Sequence, residues 1–291
     1  MRAGRLRVLV TNDDGVHAPG IRWLARAAHD AGHDVTVAAP QDEASGMSAA
    51  LTAVTDQGRV MIARTALAGL DGVPVYAVAA SPGYIALLAA LEVFGPAPEL
   101  VLSGINRGAN AGRAILHSGT VGAAVTAAAG GARTMAVSLD VLSPPDAGAA
   151  GGDAVFAALD TMDDDDRHWS TAAALAGQLL PALAAAPAGI VLNLNVPDRP
   201  AERVAGLRRA TLAPFGQVRM AVAESGADFV RMTLEQGDAR AVPDSDIDLL
   251  ARGYATVTAV RPWSQAEDVV VALPGLVRPR TPVDDDAADR A

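Results

Sequence analysis

The sequence has no cysteine and no lysine; its 23 basic residues are all arginine. Without cysteine there are no disulfides, thiolate metal ligands or thiol nucleophiles. Without lysine, Schiff-base catalysis and a P-loop lysine are excluded. A GC-rich genome yields the same arginine bias, so the bias is not itself read as function. Aromatic residues make up only 3% of the 291 residues, against 51% hydrophobic overall. The core is therefore expected to be built from small aliphatic side chains. No uncharged apolar run reaches the roughly 18 residues that a membrane span requires. The opening "MRAGRLRVLVT" lacks a long apolar stretch with a small-residue cleavage site. A soluble cytoplasmic protein is the expectation. Positive charge is also scarce: 33 acids against 23 bases leave a net charge of -10. That sign disfavours nucleic acid and anionic membranes as partners. It also repels a phosphorylated small molecule at long range, so a site for one needs local positive charge. No G-x-G-x-x-G follows the first apolar run, which removes a dinucleotide fingerprint. G-x-S-x-G is absent too, which speaks against an α/β-hydrolase.

What is present is an alternation. "LRVLV" (6–10) reads as a buried strand, and "GIRWLARAAHDA" (20–31) places Ile21, Leu24, Ala25 and Ala28 at helical spacing before Gly32. "HDVTVAAP" (33–40) reads as the next strand. The pattern recurs with strands at 73–80, 99–106, 133–140 and 189–197, and helices at 83–94, 119–131 and 170–185. At least six strands and four helices in this order predict an α/β fold with a doubly wound, mostly parallel sheet. The stretch 141–168 reads as a loop insertion, rich in Gly, Ala, Pro and Asp. Its "DDDD" (163–166) reads as a solvated loop or helix entry, or as a metal-binding run. After residue 200 the alternation fades into segments that read as strands of a hairpin or arm, with one more strand at 253–263. The chain closes on an acidic tail, "TPVDDDAADRA" (281–291).

Ligands of doubly wound sheets bind beyond the carboxyl ends of the strands. Asn12, Asp13 and Asp14 follow the first strand, Ser45 and Ser48 the second, and Asn106 and Asn110 the strand at 99–106. Read alone, "NDDG" is equally an Asx turn into a helix, and "SGIN" a turn. Their shared placement favours a site. All of these donors are hard oxygens, a set that suits Mg²⁺, Mn²⁺ or Ca²⁺ rather than Zn²⁺. A cation would also relieve the repulsion between Asp13 and Asp14. In "HSGTVGAA" (117–124), Ser118, Gly119 and Thr120 open a helix, where free N–H groups attract an anion or a hydroxyl caps the helix. His117 is either a general acid or phosphate partner, or a packing residue.

The motifs "VTNDDGVHAPGI", "APQDEASGMSAALT", "LVLSGINRGANAG", "HSGTVGAA" and "NLNVP", in this order, resemble the SurE family of metal-dependent nucleotidases. The resemblance spans about residues 6 to 140, then 189–197 and, more weakly, 244–262. It implies a Rossmann-like core with an extended C-terminal hairpin used in forming a homodimer or homotetramer. It implies one divalent ion per subunit, Mg²⁺ or Mn²⁺, held by Asp13, Asp14, Ser45 and Asn106. It also implies hydrolysis of nucleoside 5′- and 3′-monophosphates, and in some members of short polyphosphate. On this reading Asp13 and Asp14 are the catalytic pair, and Asn12, Asn110, Ser118, Gly119 and Thr120 take the substrate phosphate. Where the family carries a "GTPADC"-like segment, this chain has "ASPGYI" (80–85), without an aspartate. The expected organisation is a catalytic core at 1–200, a β-rich arm with a final strand at 201–263, and a C-terminal segment at 264–291. Two other classes remain open: a nucleotide-sensing module without turnover, motivated by "ASPGYI", and a glycosyltransferase, which the lack of a spaced Asp-x-Asp at a strand end disfavours.

Overall fold

Residues 4–141, 164–214, 218–226, 228–236, 242–262 and 264 are described in the computed structural model. In chain order the strands are β1 (Arg7–Thr11), β2 (Asp34–Pro40), β3 (Thr55–Asp56), β4 (Arg59–Val60), β5 (Ile62–Thr65), β6 (Val75–Val78), β7 (Leu100–Arg107), β8 (Arg133–Asp140), β9 (Val191–Pro197), β10 (Leu207–Arg209), β11 (Val218–Ser225), β12 (Val230–Gln236) and β13 (Ala255–Val260). The α-helices are α1 (Pro19–Asp30), α2 (Pro82–Ala90), α3 (Gly119–Ala129), α4 (Trp169–Ala185) and α5 (Asp246–Ala251), and a 3₁₀ segment covers Gly112–His117.

The main sheet runs β5-β6-β2-β1-β7-β8-β9-β13-β10. The six strands from β6 to β9 are mutually parallel, with β5 and β13 antiparallel at the two flanks. The fold class is therefore the doubly wound α/β architecture. The alternation of side chains across the pleat decides what each face covers. Val8, Val10, Leu100 and Leu102 pack with Ile21 and Leu24 of α1 and Leu180 and Leu183 of α4. Leu9 and Val101 turn the other way, onto Ile85 of α2 and Ala127 of α3. Each of the larger aliphatic side chains fully buried there contributes about 2 kcal/mol. The abundance of glycine and alanine serves close packing: a Cβ on Gly122 of α3 would collide with the Ser48 carbonyl, and one on Gly20 of α1 with the Ile105 carbonyl.

The chain winds from β1 outward through β2 to β6, then returns to the other side of β1 and winds through β7 and β8 to β9. The direction reverses between β1 and β7, and a crevice opens there above the strand ends.

Several elements differ from the sequence reading. The strand expected at 73–80 is only Val75–Val78, and β5 beside it was not anticipated, because its "IART" is an exposed edge without alternation. Helix α2 stops at Ala90 rather than 94, its C-cap at Leu91 being followed by Glu92 in the left-handed region at φ 62°. β10 and β13 join the main sheet, so within 201–263 it is the β11–β12 hairpin that stands as a separate two-stranded ladder. Of the insertion at 141–168, residues 142–163 lie outside the described residues, as does most of the segment from 264. Among the described residues no helix is long and apolar enough to cross a membrane.

Candidate active site

A cavity of about 490 Å³ occupies the crevice. Asp13, Asp14, Ser45, Asn106, Asn110, Ser118 and Gly119 all line it, together with Glu43, Arg107, His117, Asp164 and Trp169. Such a volume suits a nucleotide-sized molecule.

The turn after β1 sets the geometry. The Asn12 amide donates to the Gly15 carbonyl at 2.8 Å, and Gly15 takes φ 97°, a conformation that side chains other than hydrogen disfavour. The Val16 N–H donates to the Pro40 carbonyl at 2.8 Å, and the Ala44 N–H to the Asp13 carbonyl at 2.7 Å. The loop carrying Ser45 is thus tied directly to the first aspartate. Ser45 is exposed at the rim, where its hydroxyl donates to the Glu43 carboxylate at 2.6 Å.

Asp13 is buried and sits at the start of α3. The Thr120 hydroxyl donates to its carboxylate, and the Thr120 backbone N–H assists. A Cβ on Gly119 would lie 2.6 Å from Asp13 Oδ2, so only glycine permits this approach. Burial pushes the Asp13 carboxyl above its ordinary value, against those Thr120 hydrogen bonds. Asp14 is half-buried. Burial, then the Asp13 and Glu43 carboxylates, push it up to about 7, against the backbone N–H and guanidinium of Arg107. Two carboxylates held together at the cost of raised proton affinity form a site short of positive charge.

Asn106 commits its amide nitrogen to the Gly108 carbonyl at 2.8 Å, which leaves its oxygen as the donor atom. Gly104, two residues earlier, has φ 133°, and a Cβ there would strike the Val137 carbonyl. The β7–β8 register shifts between Gly104 and Asn106. Carboxylate, hydroxyl and amide oxygens from three strand ends make the donor set of a hard divalent cation. Among the described residues no three His, Cys, Asp or Glu side chains stand together as a metal cluster. A cation at the aspartates would therefore rely on Ser45, Asn106 or water for its remaining ligands.

Two expectations for phosphate binding change. Asn12 is fully buried and spends its amide on the Gly15 turn, so it does not line the cavity. Thr120 is also fully buried, its hydroxyl given to Asp13. The anion at this helix N-terminus is the Asp13 carboxylate itself. Ser118 caps α3 by accepting from the Val121 N–H at 3.1 Å and faces the cavity with Gly119. Asn110 is held from β8 and β9: its amide donates to the Ser138 hydroxyl at 2.9 Å, and the Asn193 and Asn195 amides donate to its carbonyl at 2.8 and 2.9 Å. Its own N–H donates to Asn195 Oδ1 at 2.8 Å. This gives "NLNVP" a structural task.

The sequence reading placed the arginines of "GINRGANAGR" near the phosphate, and Arg107 does line the cavity; it missed Glu43, Trp169 and the role of Asp164. Glu43 lies two residues before Ser45, but nothing in its spacing marks it as facing the cavity. Asp164 belongs to "DDDD", yet it accepts from Arg167 Nε at 3.1 Å, and its carbonyl accepts from Trp169 Nε1 at 2.8 Å. Arg107 approaches the same carboxylate at 3.9 Å. The departure at "ASPGYI" does not touch the cavity. Ser81 caps α2, donates to the Ala50 carbonyl at 2.5 Å and accepts from the Thr52 N–H at 3.1 Å. The motive for a sensor without turnover is therefore removed.

An α/β fold with an acidic, oxygen-rich cavity at its switch point belongs to the doubly wound class whose ligands sit beyond the carboxyl ends of the strands. The family described as Survival protein SurE matches residues 8–219, and the chain belongs to this SurE family. It is 32% identical over 273 residues to a protein of Escherichia fergusonii named 5′/3′-nucleotidase SurE, covering 91% of this chain and 95% of that one. Proteins of the same name from Shigella dysenteriae serotype 1 and Citrobacter koseri are each 33% identical, over 91% and 87% of this chain and 95% and 89% of theirs. The crystal structure of the SurE protein from Aquifex aeolicus shares the fold, with a TM-score of 0.65 and 24% identity, covering 88% of this chain and 93% of that one.

Proposed function

We infer that this chain is a cytoplasmic, divalent-metal-dependent phosphomonoesterase. It hydrolyses nucleoside 5′- and 3′-monophosphates to nucleoside and phosphate, and extends to short polyphosphate. The observation that carries the reading is the joint placement of Asp13, Asp14, Ser45 and Asn106 around one cavity, with the start of α3 beside them. The names of the relatives support the substrate class. Asp13, Asp14, Ser45 and Asn106 would hold Mg²⁺ or Mn²⁺, one ion per subunit. When bound, such an ion neutralises phosphoryl oxygens and acidifies water. Ser118, Gly119 and Asn110 receive the phosphate, Arg107 adds the cavity's permanent cationic side chain, and Asn12 and Thr120 hold the aspartates in place. Free phosphate measured against a nucleotide panel, with Mg²⁺, Mn²⁺ or a chelator, tests the function. Release that requires the metal supports it, and none under any metal condition overturns it.

The raised Asp14 carboxyl has a sign. Its folded value of about 7 lies above the ordinary 3.8, so in the metal-free fold it keeps a proton through that window, and stability there falls as pH rises. A cation must displace this proton. Mn²⁺ affinity is expected to strengthen by up to about tenfold per pH unit until pH 7 and then level off. Calorimetry in buffers of different ionisation heat reads the released proton; affinity flat across that range would contradict the assignment.

Association is proposed through the β11–β12 hairpin. A two-stranded ladder is marginal alone, and Phe229 and Val230 on it are 55% and 59% exposed. Light scattering should give a dimer or tetramer, and a 29.5 kDa particle would remove this proposal.

A further inference from the structure

We propose that His117 is the proton donor to the leaving-group oxygen, a role that rests on the phosphomonoesterase reading above. His117 lines the cavity one residue before Ser118 and Gly119, at the phosphate end and on a different element from the two aspartates. Its ring is exposed and has no hydrogen-bond partner among the described residues. Its backbone, by contrast, is braced. The carbonyl of Leu116 accepts from the Ser48 hydroxyl at 2.6 Å, and the Gly112 N–H donates to the buried Asp246 carboxylate at 2.7 Å. The Arg113 N–H donates to the Ala213 carbonyl at 3.0 Å. The side chain is thus carried to the cavity by a backbone tied to both the β2 loop and the C-terminal region, with its ring left free to meet a substrate oxygen.

Elimination points the same way. Asp13 and Asp14 are assigned to the cation. Asp164 is paired with Arg167 at 3.1 Å, and Glu43 accepts from Ser45 at 2.6 Å. Arg107 cannot give up its proton. The imidazole is the remaining side chain lining the cavity with a ring N–H to donate.

The step balances. Water oxygen bonds to phosphorus as the ester P–O bond breaks, and that electron pair goes to the ribose oxygen. The ribose oxygen takes the His117 proton. The attacking water keeps one proton as the new P–OH and sheds the other onto a phosphate oxygen, giving nucleoside and dihydrogen phosphate; the latter releases a proton to solvent, and solvent reprotonates the open ring.

A proton donor matters when the leaving group is an alkoxide and little when it is a stable phenolate. His117→Asn and His117→Gln are therefore assayed on adenosine 5′-monophosphate and on p-nitrophenyl phosphate, with the metal saturating. The expected result is a loss in kcat of about 100-fold or more on the nucleotide and under about fivefold on the aryl ester. Because both substrates meet the same protein, the ratio is independent of the active fraction. Equal loss on both, or no loss on either, overturns the donor while leaving the phosphomonoesterase reading intact. A wild type that releases phosphate from neither substrate overturns both.

Discussion

Asparagine at position 14 is expected to abolish phosphate release while leaving the metal-free chain at least as stable as the wild type. The two effects share one cause. Asp14 is pushed up to about 7 by burial and by the Asp13 and Glu43 carboxylates, so its charged form is held against the preference of the fold. Removing the charge relieves that opposition, yet it also removes half of the carboxylate pair proposed to hold the cation. Loss of an electrostatic interaction worth several kcal/mol in the transition state corresponds to roughly a thousandfold or more in rate. Asp14→Asn keeps the shape and still accepts from the Arg107 N–H, so the fold has little to lose. Phosphate release and a thermal melt on the same preparation read both effects. A variant with near-full turnover at saturating Mg²⁺ or Mn²⁺, or one that melts well below the wild type, contradicts this account of the pair.

Gly119→Ala is expected to be nearly as damaging, although it adds a single methyl group. The new Cβ would stand 2.6 Å from Asp13 Oδ2 and 2.9 Å from its Cβ, inside any tolerated contact. Neither side can easily yield. Asp13 is held by Thr120 and by the Ala44 N–H at 2.7 Å, and α3 is pinned where Gly122 meets the Ser48 carbonyl. Displacing the carboxylate by about 1 Å is enough to cost on the order of 100-fold in kcat. Overpacking should also lower stability by about 1–3 kcal/mol. Mn²⁺ affinity and kcat should fall together. A variant with wild-type metal affinity would show that Asp13 does not depend on this contact.

These two residues also show what could be read in the sequence. The apolar "LRVLV" before "NDDG", and "LVLSGIN" after two further strand signals, sufficed to place Asp13, Asp14 and Asn106 at strand ends, because strand direction and winding order follow from local patterns. The bond between Thr120 and Asp13 could not be read: it joins positions 107 residues apart, and its signal is only a Thr that also suits an N-cap. Asn12 shows the converse. A polar residue beside the aspartates looks like a ligand, but the turn claims its amide first. Arg107 and Asp164 approach each other at the cavity to 3.9 Å, a pairing that no spacing rule encodes. Short edge strands such as β5 escape for a related reason, since exposure removes the alternation by which strands are recognised.

The central claim, a cation seated between the aspartates, is tested most directly by crystals grown with Mn²⁺ and measured for anomalous scattering. A single strong peak is expected within about 2.0–2.4 Å of carboxylate oxygens of Asp13 and Asp14, with Asn106 and Ser45 or water completing the shell. No peak there, or one bound elsewhere while the aspartates keep only each other and Thr120, would contradict it.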